Sequence, residues 1–160
     1  MKKTILLLVI LLGFTANAQF SVGGGLAYMN DAGLEINSEF GIGEGMIVLS
    51  PSIDYYFTED GVTNYAINVD GHYNLGDPDS TNYYPIAGLN YYYFSVDMPD
   101  EYEAYGLGDV SDGSVGLNLG FGASYMLSDA MKLYGEARFV MNDYADDFGI
   151  AVGVLFRMGE

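Results

Sequence analysis

Apolar and polar residues alternate along most of this chain. After residue 18, eight segments of roughly ten residues carry apolar side chains at every second position, with small or polar residues between them. A period of two places successive side chains on opposite faces of a β-strand. The pattern predicts eight strands: Phe20–Met29, Leu34–Ile42, Met46–Phe57, Tyr65–Leu75, Tyr84–Val96, Ser114–Leu127, Met131–Met141 and Phe148–Met158.

Residues that favour turns cluster between these segments. The predicted turns lie at 30–33, 43–45, 59–61, 76–79 and 128–129, where Gly, Asn, Asp, Ser and Pro predominate. Short connections join neighbouring antiparallel strands, whereas parallel strands need long crossovers. The chain is therefore predicted to be all-β, with consecutive strands running up and down.

The first 18 residues have a different character. Lys2 and Lys3 precede a continuous apolar run over Ile5–Leu12, and Ala16-Asn17-Ala18 is a small-x-small cleavage site. A helix that crosses a bilayer needs about 20 apolar residues, so this run is too short. We predict a cleaved signal peptide over 1–18 and one domain over 19–160.

Alternation alone does not say which face of the sheet points outward. Three features favour an outward apolar face: glycine is abundant on the polar face, charges within strands lie on that face, and aromatic residues lie near strand ends on the apolar face. Aromatic residues at these positions would form girdles at the two membrane interfaces; they are Phe20, Tyr28, Tyr55, Phe57, Tyr65, Tyr73, Tyr84, Tyr125 and Phe156. In the fifth strand Ala87, Leu89, Tyr91 and Tyr93 are assigned to the apolar face. The alternative is a soluble secreted or periplasmic barrel that binds an apolar ligand inside.

Three stretches resemble the later strands of small eight-stranded outer-membrane barrels, the OmpA/OmpX type and the porin-family outer membrane β-barrel domain. They are 84–92 (YPIAGLNYY), 115–122 (VGLNLGFG) and 149–157 (GIAVGVLFR). The resemblance implies an eight-stranded antiparallel transmembrane barrel in the outer membrane. It also implies a filled polar lumen, a structural or surface-interaction role without catalysis, and contact with lipid and lipopolysaccharide. Such barrels are inserted by the outer-membrane assembly machinery and usually end on an aromatic residue, whereas Met158 takes that position here.

The charge of the chain is strongly negative. The net charge is −17, and loss of Lys2 and Lys3 with the leader makes the mature chain more negative still. Nucleic acids are bound largely by Lys and Arg that neutralise phosphates, so nucleic acid is excluded as a partner. The chain also has no cysteine, which excludes disulfides and thiolate chemistry.

Charged residues on the polar face are predicted to line the lumen as a network. Its members are Glu35, Glu39, Asp54, Asp70, Lys132, Glu136, Arg138 and Arg157. A charge in a narrow interior needs a partner, so a structural network of salt bridges is expected. The alternative is a narrow ion channel in which these pairs rearrange as a gate. Lys132 and Arg157 are expected near the periplasmic end, Glu136 and Arg138 at mid-barrel, and Glu35 and Asp54 towards the extracellular end.

The longest predicted loop covers 97–113 and is rich in acidic residues, namely Asp97, Asp100, Glu101, Glu103, Asp109 and Asp112. A solvated loop is expected, with weak binding of Ca²⁺ or Mg²⁺ and contact with an extracellular partner as alternatives. The spacing does not match a recognised calcium loop, so no metal site is assigned. His72 follows Asp70 on one face and is expected to pack in the lumen. No catalytic residue and no cofactor are predicted.

Overall fold

The protein is a closed barrel of eight strands, each paired with its neighbours in sequence, and the last strand closes on the first. The computed structural model describes residues 20–42, 45–59, 61–77, 80–98, 108–143 and 146–158. All eight strand pairs are antiparallel. The strands are β1 Phe20–Met29, β2 Asp31–Ile42, β3 Ile47–Tyr56, β4 Val62–Tyr73, β5 Thr81–Val96, β6 Val110–Ser128, β7 Met131–Met141 and β8 Asp146–Met158. The predicted fold class is confirmed.

The two ends of the barrel differ in their connections. We call the end that holds Phe20 and Met158 the terminal end; the β2–β3, β4–β5 and β6–β7 connections also lie there. The opposite, distal end carries the β1–β2, β3–β4, β5–β6 and β7–β8 connections. Among the residues described, no helix is long and apolar enough to span a membrane.

The outer face of the barrel is an apolar belt. Side chains from every strand contribute, among them Leu26, Ile36, Ile53, Val69, Leu89, Leu117, Leu133 and Val152, and all of these are exposed. Contiguous apolar surface on this scale is not stable in water, and it fits contact with lipid hydrocarbon. The predicted orientation, with the apolar face outward, is therefore what the structure has.

Several predicted strand boundaries differ from the structure by one to four residues, and two of these differences change a predicted connection. The β1–β2 turn was predicted over four residues, but Met29 already pairs with Asp31 and only Asn30 lies between the strands. Asn30 has a φ of 64°, a conformation that asparagine tolerates better than most residues. β6 begins at Val110, which pairs with Val96, so Asp112 belongs to a strand and not to the predicted loop.

Tyr84 does not belong to the outer girdle as predicted. Its side chain points into the lumen and only 1% of it is exposed. In β5 the outward positions are the odd-numbered ones, which include Leu89 and Tyr91. Across the β5–β6 ladder Tyr84 lies beside Gly122, where an added Cβ would be 2.3 Å from the tyrosine ring. A missing side chain on one strand therefore makes room for an aromatic ring on the next.

Candidate functional site

The centre of the lumen is organised around one arginine. The Arg138 guanidinium lies 2.7 Å from Glu35 Oε2 and 3.3 Å from Asp70 Oδ2. It also lies 3.7 Å from Asp54 Oδ2 and 4.0 Å from Glu136 Oε2. Its side chain is 7% exposed and the four carboxylates are buried. One cation thus holds four acidic groups, which come from four different strands, in a single buried layer.

The strand register makes room for this arginine. In the two ladders of β7, Arg138 lies beside Gly120 of β6 and Gly149 of β8. A Cβ on Gly120 would be 2.3 Å from the Ala137 carbonyl oxygen and 3.0 Å from the Arg138 Cα, so no larger residue fits without a shift. The glycines seen on the polar face of the sequence therefore have a local purpose: they admit bulky β7 side chains into a narrow lumen.

Asparagine side chains donate hydrogen bonds to two of the acids. Asn118 Nδ2 donates to Asp70 Oδ1 at 2.9 Å and to Asn68 Oδ1 at 3.0 Å. Asn68 Nδ2 in turn donates to Asp54 Oδ2 at 2.9 Å, and Asn90 Nδ2 donates to Asn68 Oδ1 at 2.7 Å. Buried charges are tolerated when such additional hydrogen bonds surround them. The layer is a connected polar network rather than a set of isolated pairs.

Two tyrosines bind the remaining acids. The Tyr134 hydroxyl donates to Glu35 Oε1 at 2.6 Å, and the Tyr84 hydroxyl donates to Glu136 Oε1 at 3.0 Å. His72 stacks on the Tyr84 ring with 4.6 Å between centroids and an interplanar angle of 15°. Its Nε2 lies 3.7 Å from Glu136 Oε1, too far for a hydrogen bond. His72 is packed in the lumen, and the geometry does not make it a general base.

An apolar layer lies on the distal side of this network. It is formed by the buried side chains of Ala27, Met29, Tyr56, Ala66 and Val140, with Tyr92 packed against them. Tyr56 joins the two layers, because its hydroxyl lies 3.4 Å from Asp54 Oδ2. Beside Asp54, Asn90 and Arg138 a cavity of about 10 Å³ has room for about one water molecule. Network and apolar layer together fill the middle of the barrel.

The terminal end of the lumen carries the other two cations. The Lys132 ammonium pairs with Glu39, and the Lys132 side chain is 18% exposed. Lys132, Glu39 and Arg157 line a cavity of about 40 Å³ that lies between them and Tyr84. This pair is therefore more hydrated than the Arg138 layer.

The predicted lumen residues thus fall into two groups. Glu35, Asp54, Asp70, Glu136 and Arg138 come together in one layer, so Glu35 and Asp54 lie at the depth of Arg138 and not nearer to one end as expected. Glu39, Lys132 and Arg157 form the second group at the terminal end. Sequence reasoning missed the roles of the hydrogen-bonding partners Tyr84, Tyr134, Asn68, Asn90 and Asn118. Tyr84 was predicted to face outward, and only the register between strands shows which acid or amide each of the five reaches.

The predicted acidic loop is described only in part. Asp100, Glu101 and Glu103 lie outside the described residues. Asp109 Oδ1 accepts a hydrogen bond from the Met98 backbone N–H at 2.9 Å, and Asp112 Oδ1 accepts one from Gly113 N–H at 2.8 Å. Within the part of the chain that the structure describes, no group of three or more acidic, histidine or cysteine side chains is arranged to hold a metal ion.

The barrel is similar to solved outer-membrane barrels. It matches a major outer membrane protein from Thermus thermophilus with a TM-score of 0.68 and 14% identity, covering 89% of this chain and 100% of that one. It matches the N-terminal β-barrel domain of Pseudomonas aeruginosa OprF with a TM-score of 0.64 and 16% identity, again over 89% and 100%. The match to Yersinia pestis Ail, solved with the heparin analogue sucrose octasulfate, has a TM-score of 0.59 and 10% identity over 88% and 97%. No protein-family model and no curated sequence matches this chain. At these identities the likeness shows the fold, which is that of the eight-stranded transmembrane barrels.

Proposed function

We propose that this chain is an integral outer-membrane barrel with a closed lumen and a structural or surface-interaction role, without catalysis. Two observations support the proposal: the continuous outer apolar belt and the filled interior. The soluble alternative needs an apolar interior open to a ligand, whereas the layer around Arg138 is polar and leaves room for about one water molecule. A β-barrel that presents its apolar face outward has lipid as its natural surroundings.

The filled lumen is the observation that carries the proposal. A solute crossing the barrel would have to break the contacts of Arg138 with four carboxylates and then pass the apolar layer next to Tyr56. Eight strands enclose an interior that side chains can just fill, which agrees with this packing. We therefore expect the barrel to be closed to ions in its resting state.

Conductance across a planar lipid bilayer tests the closed lumen. The folded protein is reconstituted, with boiling-dependent gel mobility used to verify folding, and no current above that of bare lipid is expected. The Arg138→Ala variant is compared with Lys132→Ala, whose target lies at the more hydrated terminal end. Discrete current steps in the unmodified protein that change in Arg138→Ala but not in Lys132→Ala would overturn the proposal in favour of a gated ion channel.

The charge of the distal end limits the partners that fit the surface role. Among the described residues there, Asp31, Glu59, Asp97, Asp109, Asp112, Asp143, Asp146 and Asp147 are acidic. The whole sequence has no Lys or Arg between residues 4 and 131. Such a surface repels polyanions, so a ligand like the heparin analogue bound to Ail does not suit this chain. Lipopolysaccharide phosphates would need divalent cations as bridges.

Localisation is tested separately from conduction. We expect the mature chain in the outer-membrane fraction, delivered there after removal of residues 1–18 and inserted by the assembly machinery. Recovery of a soluble periplasmic protein, with no mobility difference between boiled and unboiled samples, would contradict the proposal. Depletion of the assembly machinery is expected to lower the amount of folded protein, which the same gel measures.

A further inference from the structure

A cavity lies at the distal mouth of the barrel, beyond the layers that close the lumen. Its volume is about 330 Å³, within the range of small-molecule sites. Inward-facing side chains from β1, β4, β5 and β8 line it, together with residues of the distal turns: Met29, Asn30, Val62, Asn64, Tyr92, Phe94, Asn142 and Asp147. Met29 and Tyr92 form its floor, because both also belong to the apolar layer that seals the lumen.

The lining of this distal cavity is half apolar or aromatic and half polar. Tyr92 and Phe94 supply two aromatic rings from alternate inward positions of β5, and Val62 lies across the ladder from Val96 on the neighbouring strand. The Asn64 side-chain oxygen Oδ1 is buried and accepts no hydrogen bond within the described residues, although Asn64 lines the cavity through its other atoms. Rotation of this side chain would bring the amide group to a ligand in the cavity and remove the cost of a buried acceptor without a donor.

The electrostatics of the distal cavity favour a cation. Asp147 is part of the lining, and Asp31 pairs with the lining residue Met29 across the β1–β2 ladder. The described distal residues include no Lys, Arg or His that would offset these charges. The faces of tyrosine and phenylalanine also attract cations. An inorganic ion is a poor match, because the described residues of the site do not cluster three metal ligands and half of the described lining is apolar.

We propose that the distal cavity binds a small organic ammonium, that is, an amine with an apolar or aromatic body. The apolar body packs against Met29, Val62 and the rings of Tyr92 and Phe94. The ammonium pairs with the Asp147 carboxylate and, once the Asn64 side chain rotates, donates a hydrogen bond to Asn64 Oδ1. Each half of the cavity thus has a matching half in the ligand. The sealed lumen beneath it means that the ligand is bound at the surface and is not conducted.

Calorimetric titration of the folded protein in zwitterionic nanodiscs tests this site. Three probes share one aromatic body: 2-phenylethylammonium, the neutral 2-phenylethanol and the anionic 3-phenylpropionate. Titration of empty nanodiscs measures partition of each probe into lipid and is subtracted. We expect saturable binding of the ammonium only, weakening as salt screens the surface charge. Equal binding of the ammonium and the alcohol, or no saturable binding of the ammonium, would overturn the proposal.

Matched variants locate the binding site. Asp147→Asn is expected to weaken binding about 5-fold, the loss of one nearby charge at a site partly open to water. Phe94→Leu keeps an apolar side chain but removes a ring, and is expected to weaken binding about 2- to 5-fold. Asp129→Asn removes the same charge from the β6–β7 turn at the terminal end and serves as the control.

The variants also separate binding from folding. Boiling-dependent gel mobility verifies that each one forms a barrel before it is titrated. If Phe94→Leu fails to fold, Asp147→Asn alone tests the binding site, because Asp147 lies at the open mouth and outside the buried layers. Equal loss of binding in Asp147→Asn and Asp129→Asn would reduce the effect to general surface charge and contradict a defined site. A conducting lumen would overturn the proposed closed barrel without removing this site.

Discussion

Replacement of Arg138 by methionine removes the one cation in the central layer while keeping a long unbranched side chain. Four carboxylates then lose their shared partner, of which Glu35 and Asp70 are the nearest, at 2.7 and 3.3 Å. Removal of one member of a buried ion pair typically costs about 3–5 kcal/mol, because the remaining charge stays buried without compensation. We expect Arg138→Met to lower the free energy of unfolding by about that amount.

A second substitution tests whether unpaired charge is the cause. In the unmodified protein Glu35→Gln removes a charge-assisted hydrogen bond and is expected to cost about 1.5–3 kcal/mol. In the Arg138→Met background the same change removes one uncompensated charge, so we expect it to restore part of the lost stability. Because the two effects have opposite signs, their magnitudes add in a double-mutant cycle, and we expect a coupling energy of at least about 2 kcal/mol.

The assay is urea-induced unfolding of the barrel in lipid vesicles. The chain has no tryptophan, so far-UV circular dichroism and gel mobility follow the transition. Lys132→Met is the matched control: Lys132 also pairs with a glutamate, but its side chain is 18% exposed, against 7% for Arg138. Because the Lys132–Glu39 pair lines the cavity at the terminal end, water can partly replace the lost partner, and we expect Lys132→Met to cost less than Arg138→Met.

Two results would refute the reasoning. One is a loss in Arg138→Met no larger than the loss in Lys132→Met. The other is a coupling energy between Arg138 and Glu35 below about 0.5 kcal/mol, the additive limit for independent sites. Either result would mean that the central layer is held by packing and by its amide and tyrosine hydrogen bonds, with the arginine charge contributing little.

Two further predictions concern the outer belt and the glycines of the strands. Val152 is 53% exposed on the outer face, so Val152→Arg should cost about 2–4 kcal/mol and block assembly. The control Leu127→Arg, near a strand end, should cost about 0–1 kcal/mol. Normal membrane insertion of Val152→Arg would contradict the assigned orientation. A Cβ on Gly23 would lie 1.9 Å from the Val154 carbonyl oxygen, so Gly23→Ala should prevent formation of the folded band on gels. The control Gly135→Ala should fold normally, because its added Cβ would have its nearest neighbour 3.8 Å away. Equal folding of both variants would show that the β1–β8 pairing can shift to accept the extra atom.

The alternation of residues was enough to predict the class and much of the orientation of this barrel. A period of two, turn residues between segments and charges confined to one face together indicate eight strands with an apolar outer surface. Those signals are local, because each depends only on neighbouring positions in the chain. The same signals misplaced Tyr84, since its strand is apolar or aromatic on both faces and has no clear alternation.

The contacts within the lumen were decided only by the tertiary structure. Arg138 reaches Glu35, Asp54 and Asp70 because strands far apart in sequence curl to enclose one narrow space. A shift of one ladder by two residues would keep every side chain on its face and yet give each acid a different partner. Depth in the barrel and the identity of partners therefore depend on register and closure, and these depend on all eight strands packing at once.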